Sequence, residues 1–180
     1  METAFITNIS FPKSLDEVLY FIDMRGRFDV EEVLEESYVE WTAPKDARIG
    51  ERAFFMHSKT SIDTIRSLKK QRKEMEEDID PDANKVLIKA LDRAEELYQS
   101  IGGCVFAQGK VCGKIIVDNV ARNDGLHWRS VYYAPIDGIS LIEPPINIGE
   151  FRDFIKISRT GAITKLDSEQ EGKLLSLRGL

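Results

Sequence analysis

Residues 47–61 read ARIGERAFFMHSKTS: a loop carrying Gly50 leads into the apolar run 53–56, which stops at His57, Ser58 and Lys59. Three hydrogen-bonding side chains in succession at the end of an apolar strand admit three chemistries. His57 could act as a general base beside Ser58 or Lys59, which requires the reacting atoms within hydrogen-bond reach of each other. Ser58 and nearby backbone groups could instead read the edge of a nucleobase while Lys59 meets a phosphate. The plain alternative is a strand end whose polar groups face water or cap the next helix.

A base taken out of a helix has lost both its pair and its stack, so a site for it needs edge contacts and flat partners. Trp41 and Trp128 are the candidate platforms, with barrel core as the competing fate of each indole. Tyr132 and Tyr133 alternate along a strand, so only one of them can face a given pocket. In the triplet His127, Trp128, Arg129, the guanidinium of Arg129 could grip a base or a phosphate with two parallel donors, against the simpler reading of a solvated strand edge. The stretch RSLKKQRKE, residues 66–74, gathers cations on one helix, and Lys69, Lys70 and Arg72 are its candidates for phosphate contact; the bland reading is a wet helix face. Cys104 and Cys112, even with His57 and His127, match no close-paired metal knuckle, so no metal and no cofactor are expected. The sequence holds no G-x-S-x-G, no phosphate-binding P-loop and no H-E-x-x-H, and DPDANK, residues 80–85, lies at a helix start rather than on a strand hairpin. No residue is therefore assigned a catalytic role.

The elements that must position these groups follow from composition and period. The chain has 180 residues, 42% hydrophobic and 31% charged, the size and make-up of one globular domain. The net charge of -6 argues against a protein that coats nucleic acid nonspecifically, because that requires many phosphate-facing cations; a small pocket for one base remains compatible with it. The apolar runs are too short to cross a bilayer. METAFITNISFPK lacks the basic segment and apolar core of a secretory signal, so the two cysteines read as reduced thiols of a cytoplasmic protein.

TAFITNIS alternates as a first strand. SLDE, residues 14–17, has capping-box spacing before a stripe of Leu15, Val18, Leu19 and Ile22, and Asp29 with Glu32 repeats the spacing before a second short stripe. SYVEWTA is a strand ended by Pro44. Residues 60–101 form a helical hairpin: a charged helix, an interruption at DIDPDA, and a helix opened by Asp80 as cap and Pro81 at its first position. CVFAQGKVCGKIIVDNVAR, HWRSVYYAPI and GISLIEPPI return to strand texture. Asn147 to Glu150 caps a short helix, Thr160-Gly161 offers a turn, and the chain from Ser168 reads as helix. The expected fold is α+β, a small barrel or strongly curved sheet with the hairpin 60–101 inserted into one domain spanning 1–180.

The order of these motifs resembles the EVE domains of the PUA-like superfamily. AFITNIS followed by a capped helix is similar to their opening strand and helix. IGERAFFMHSK resembles their GD-x-V-x-F-Y-H-S strand, with Glu51 where Asp is usual and Met56 where Tyr is usual. GGCVFAQGKVCGKI resembles the following G-I-x-G-x-x-x-V strand, GISLIEPPINIGEFRDF their L-x-x-P-I-x-L-x-E-L-R segment, and ISRTGAITKLDSEQEGKLL their closing strand and helix. The related ASCH signature, G-x-K-x-x-E-x-R, is not evident. The W-x-G-V-R-N loop of EVE domains is missing or shortened, and Trp41 is its nearest equivalent. The resemblance implies a bent β-barrel flanked by helices, with a pocket that accepts one modified base flipped from DNA or held from RNA. The cleft would lie between Trp41, the strand end at His57, Ser58 and Lys59, and the strands bearing Cys104 and Trp128. It would bind without turnover. The alternatives carried forward are a small hydrolase on the same barrel using His57, Ser58 or Lys59, and an interaction domain whose hairpin 60–101 meets a protein partner.

Overall fold

In a computed structural model, which describes residues 1–118, 131–158 and 162–180, the chain is an α+β fold around one mixed sheet. The strands are β1 (Glu2–Ile9), β2 (Val39–Thr42), β3 (Arg52–His57), β4 (Cys104–Val111), β5 (Ile116–Val117), β6 (Tyr132–Asn147) and β7 (Ile163–Asp167). The helices are α1 (Leu15–Tyr20), α2 (Asp29–Glu35), α3 (Ser61–Glu74), α4 (Pro81–Ile101), α5 (Ile148–Phe151) and α6 (Ser168–Ser176). A π-helical turn at Phe21–Arg25 extends α1, and a 3₁₀ turn at Glu76–Asp78 separates α3 from α4.

The sheet order is β2-β6-β4-β3-β1-β7, with β5 also paired to β6. Only β1 and β3 run parallel among these pairs; the others are antiparallel. Register shifts within β3–β4 and β4–β6 curl the sheet, as bulges do by adding a residue to one strand. The bent sheet with flanking helices agrees with the sequence expectation. Its path is open, however: among the described residues β2 and β7 end it and do not pair with each other.

Both faces of the sheet are covered, which is why 4–6 and 53–56 read as continuous apolar runs rather than alternating ones. Phe5, Ile9, Ala53 and Phe55 point to the face that α2 covers with Val30 and Val33. Ala4, Ile6, Phe54 and Met56 point to the opposite face, under Phe151 of α5 and Leu174 of α6. A third apolar cluster lies among the helices, where Val18 and Phe21 meet Ile65, Leu68, Leu87, Leu91 and Ala94. Thus the strongest helical stripe of the sequence is packed inside the molecule.

Several local signals act where the sequence placed them. The Asp80 carboxylate accepts from the N–H groups of Asp82 and Ala83 at 3.1 Å, with Pro81 opening α4. Asn147 and Glu150 form a reciprocal cap on α5. Two signals shift. The cap of α2 is at Phe28, whose N–H donates to Glu31, one residue earlier than Asp29 and Glu32 suggest. HWRSVYYAPI and GISLIEPPI contribute to one strand rather than two: β6 passes through Asp137-Gly138, where Gly138 takes φ +60 at an irregularity instead of ending the strand. The Thr160-Gly161 turn lies outside the described residues.

Candidate functional site

The end of β3 is held from three sides. β1 runs parallel to it, with Ile9 beside His57, and the Ser58 N–H donates to the Ile9 carbonyl at 2.8 Å. The Gly103 N–H donates to the His57 carbonyl at 2.9 Å. From α4, the Tyr98 hydroxyl donates to the Lys59 carbonyl at 2.8 Å. This strap explains the glycine pair that ends the hairpin. A Cβ on Gly102 would sit 2.4 Å from the Tyr98 ring, and Gly103 adopts φ +67.

His57 is 2% exposed and its ring stands edge-on to Tyr98, centroids 5.7 Å apart. Its Nδ1 lies 3.2 Å from the Ile9 carbonyl. A carbonyl oxygen only accepts, so Nδ1 carries the proton and Nε2 is the acceptor of the neutral ring. Burial pushes its pKa below the ordinary histidine value, against a smaller opposing effect of the Ile9 hydrogen bond. Ser58 is also buried, and its hydroxyl pairs with that of Thr60 at 3.1 Å. Thr60 stands at the N-terminus of α3 and makes no side-chain cap bond there. His57 and Ser58 thus turn their hydrogen bonding inward, to a carbonyl and to a neighbouring hydroxyl. Neither is presented at a surface as a base-edge donor must be, and they do not form a base–nucleophile pair. Lys59 is exposed.

Trp41 has a different setting. It lies on β2, an edge strand, directly across from Ala134 of β6. Its indole is half-buried and meets Phe55 edge-on, with centroids 6.0 Å apart. Trp41 therefore shares the face of Ala53 and Phe55 that α2 covers, but it stands at the sheet margin rather than at the β3 terminus. Trp128 and Arg129, with His127, lie outside the described residues.

The cations of α3 are mostly engaged. The Lys69 ammonium pairs with Asp92 at 2.9 Å and Glu95 at 2.5 Å on α4. Arg72 donates to Asn84 at 2.9 Å and pairs with Glu76 at 3.5 Å. Lys70 is 80% exposed in its side chain and stands 4.0 Å from Glu74. Sequence spacing along α3 shows the cations but not the acidic face that α4 turns toward them.

The thiols differ as well. Cys104 is buried, donating to the Gly102 carbonyl at 3.4 Å, while Cys112 is exposed; neither forms a disulfide. Among the described residues no three His, Cys, Asp or Glu side chains gather as metal ligands would, and no helix is long and apolar enough to cross a membrane. A hollow of about 350 Å³ opens at the β1–β7 margin, lined by residues including Glu2, Asp46, Arg48, Glu51 and Lys165. Its lysine bridges Glu2 and Asp46, and its walls carry no aromatic ring.

No family model matches the chain, and no curated protein matches it. A crystal structure of protein Atu2648 from Agrobacterium tumefaciens, a structural genomics target, aligns with 98% of this chain and 93% of its own at 13% identity and a TM-score of 0.48. At that level of likeness nothing about the chain's fold or activity follows from it.

Proposed function

We propose that the chain is a non-catalytic nucleic-acid-binding module of the PUA-like, EVE type, which accommodates one modified base against an aromatic wall begun by Trp41. The observation that carries this reading is the setting of that indole. It is half-buried at an edge strand, with Phe55 bracing its ring from below. A large aromatic that keeps part of its surface outside the core offers a stacking surface, and stacking tolerates any base. The order of strands and helices along the chain is compatible with the motif order that suggested this family.

The hydrogen bonding at the β3 terminus favours binding over turnover. Hydrolysis by His57 and Ser58 would need the imidazole beside the hydroxyl, and each is instead satisfied elsewhere. In this reading these two residues brace the strand, Lys59 and Lys70 are exposed cations placed to meet a backbone, and Lys69 and Arg72 would have to exchange the partners they hold on α4 and at Glu76. DNA and RNA are both candidate partners, in the cytoplasm. A protein partner on the hairpin 60–101 has less support, because its apolar stripe is covered within the chain.

The test is fluorescence anisotropy with labelled DNA and RNA dodecamers, each carrying one central base from a panel of methylated and hydroxymethylated forms, beside unmodified controls. Wild-type protein is expected to prefer one modified form. Trp41→Ala is expected to weaken that binding by about 1–3 kcal/mol. Binding untouched by the substitution, or no preference across the panel, overturns the reading.

A further inference from the structure

The sheet is open between β2 and β7, and among the described residues those strands do not pair. Side chains join the two margins instead. The segment 43–51 leaves β2 and sets Asp46 beside β7, where the Lys165 ammonium pairs with Asp46 at 2.9 Å. The same ammonium reaches Glu2 of β1 at 3.4 Å, so one cation ties the segment to two strands. Its hydrogen bond holds the Asp46 carboxyl below the ordinary carboxylate value. The hollow of about 350 Å³ lies at this bridge, walled by Pro44, Asp46, Arg48 and Glu51 from the segment and by Glu2 and Lys165 from the sheet margin.

Backbone bonds fix both ends of the segment. The Ala43 N–H donates to the Tyr132 carbonyl at 3.2 Å, and the Gly50 N–H donates to the Val111 carbonyl at 2.8 Å. Inside those ends the bonding is local. The Ala47 N–H donates to Pro44 and the Glu51 N–H donates to Arg48, each at 3.1 Å, which folds the segment on itself rather than onto the sheet. The ties described from 44–49 to the rest of the chain are the buried Pro44 ring, the buried Ala47 methyl and the Asp46–Lys165 pair. An alanine and a proline bury little apolar surface, so lifting 44–49 costs far less than unfolding the sheet. Ile49 is 64% exposed, and Gly50 takes φ +93 at the end of the stretch, a left-handed conformation that glycine adopts without strain.

We infer that residues 44–49 form a lid over the hollow and that Lys165 is its latch, released when dissolved salt screens the ammonium from Asp46 and Glu2. Ion pairs near the surface are weak, and the screening length falls from about 8 Å at physiological ionic strength to about 3 Å at 1 M. The apolar contacts of Pro44 and Ala47 are not screened in this way, so the response of the lid to salt isolates the latch. Opening admits solutes to the hollow and uncovers the seam between β2 and β7. The inference is independent of the base-binding reading, since no residue of lid or latch is assigned there to the base or its backbone.

The experiment is limited trypsin digestion of the full chain, followed by mass spectrometry, with wild type, Lys165→Arg, Lys165→Met and Lys165→Gln at about 20 mM and about 500 mM sodium chloride. Cleavage after Arg48, whose side chain is 60% exposed, reads the lid. Cleavage after Arg72, inside α3, reads unfolding of the whole chain. When opening is fast relative to cutting, the rate follows the open population. At the lower salt Lys165→Met should be cut after Arg48 about 2- to 30-fold faster than wild type, the worth of the Asp46 and Glu2 pairs together, with cutting after Arg72 unchanged. Lys165→Gln should match it and serves if the methionine variant does not fold, while Lys165→Arg keeps the charge and should follow wild type. The ratio of variant to wild type is taken at each salt, which cancels the response of trypsin itself, and it should fall toward unity at the higher salt. A neutral variant cut at the wild-type rate at the lower salt overturns the latch. So does a ratio that persists at the higher salt, and so does cutting that quickens in step after Arg48 and Arg72.

Discussion

The terminus of β3 and the corner where β2 meets β6 carry the two sets of polar and aromatic groups from which a site could be built, and they are organised in opposite ways. At the β3 terminus every backbone and side-chain contact described draws inward: His57 to Ile9, Ser58 to Ile9 and Thr60, Lys59 to Tyr98. At the β2–β6 corner the backbone is paired, but Trp41 is half-buried and Tyr132 is exposed. The contrast teaches that a run of reactive residue types need not mark a reactive place. Buried polar groups that satisfy one another stabilise a junction without thereby making a reactive centre.

The comparison breaks most visibly under Gly102→Ala. The added methyl overlaps a Tyr98 ring fixed by its bond to Lys59 and its edge contact with His57, so the ring cannot swing aside cheaply. Unfolding in urea should show a loss of about 1–3 kcal/mol, the usual cost of overpacking, with oligonucleotide binding unchanged. Unaltered stability would mean that the strap is slack. Trp41→Ala should show the converse, with binding as its main loss.

A smaller effect comes from acid. The folded pKa of His57 lies below its ordinary 6.5, so between those two values the unfolded chain binds more protons than the folded one. Stability is therefore fully present above about 6.5 and falls as the pH drops below it, until the folded pKa is passed. The decline has a limit of about 1.4 kcal/mol per pH unit for one proton. His57→Gln should flatten that part of the profile in urea melts recorded between pH 7.5 and 5.5. Parallel profiles for the two proteins would place the titration elsewhere. The smallest effect is expected from Lys70→Ala. Its exposed side chain should move stability by no more than about 0.5 kcal/mol, while the salt dependence of log Kd loses up to about one unit of slope if the ammonium meets a phosphate. An unchanged slope removes Lys70 from the interface.

Local chemistry made much of this fold legible. Asp80 and Pro81 announce α4, Asn147 and Glu150 announce α5, and the apolar period over α4 predicts a buried stripe, all of which depend on residues within a turn or two of each other. The openness of the sheet and the continuity of β6 depend on pairing between distant segments, and Asp137-Gly138 has the same composition in a turn as at an irregularity within a strand. The site was less legible for the same reason. His57 and Ser58 look available until Ile9 and Tyr98 are brought to them by β1 and α4. Lys69 and Arg72 look like a basic face until α4 adds Asp92, Glu95 and Asn84. Tyr132 could be separated from Tyr133 only by knowing which of them opposes Thr42.

The placement of β1 bears on how the molecule can be assembled and cut. Its two neighbours in the sheet are β3, reached across α1, α2 and β2, and β7, which follows nearly everything else in the chain. The earliest strand consequently keeps one flank bare through most of synthesis, presenting unpaired amides to any passing chain. Shortened versions that stop before Ile163 would retain that bare flank permanently. They should gather into aggregates even though every residue around Trp41 is still present, so fragments meant to isolate the β2–β6 corner must carry the distant β7 as well.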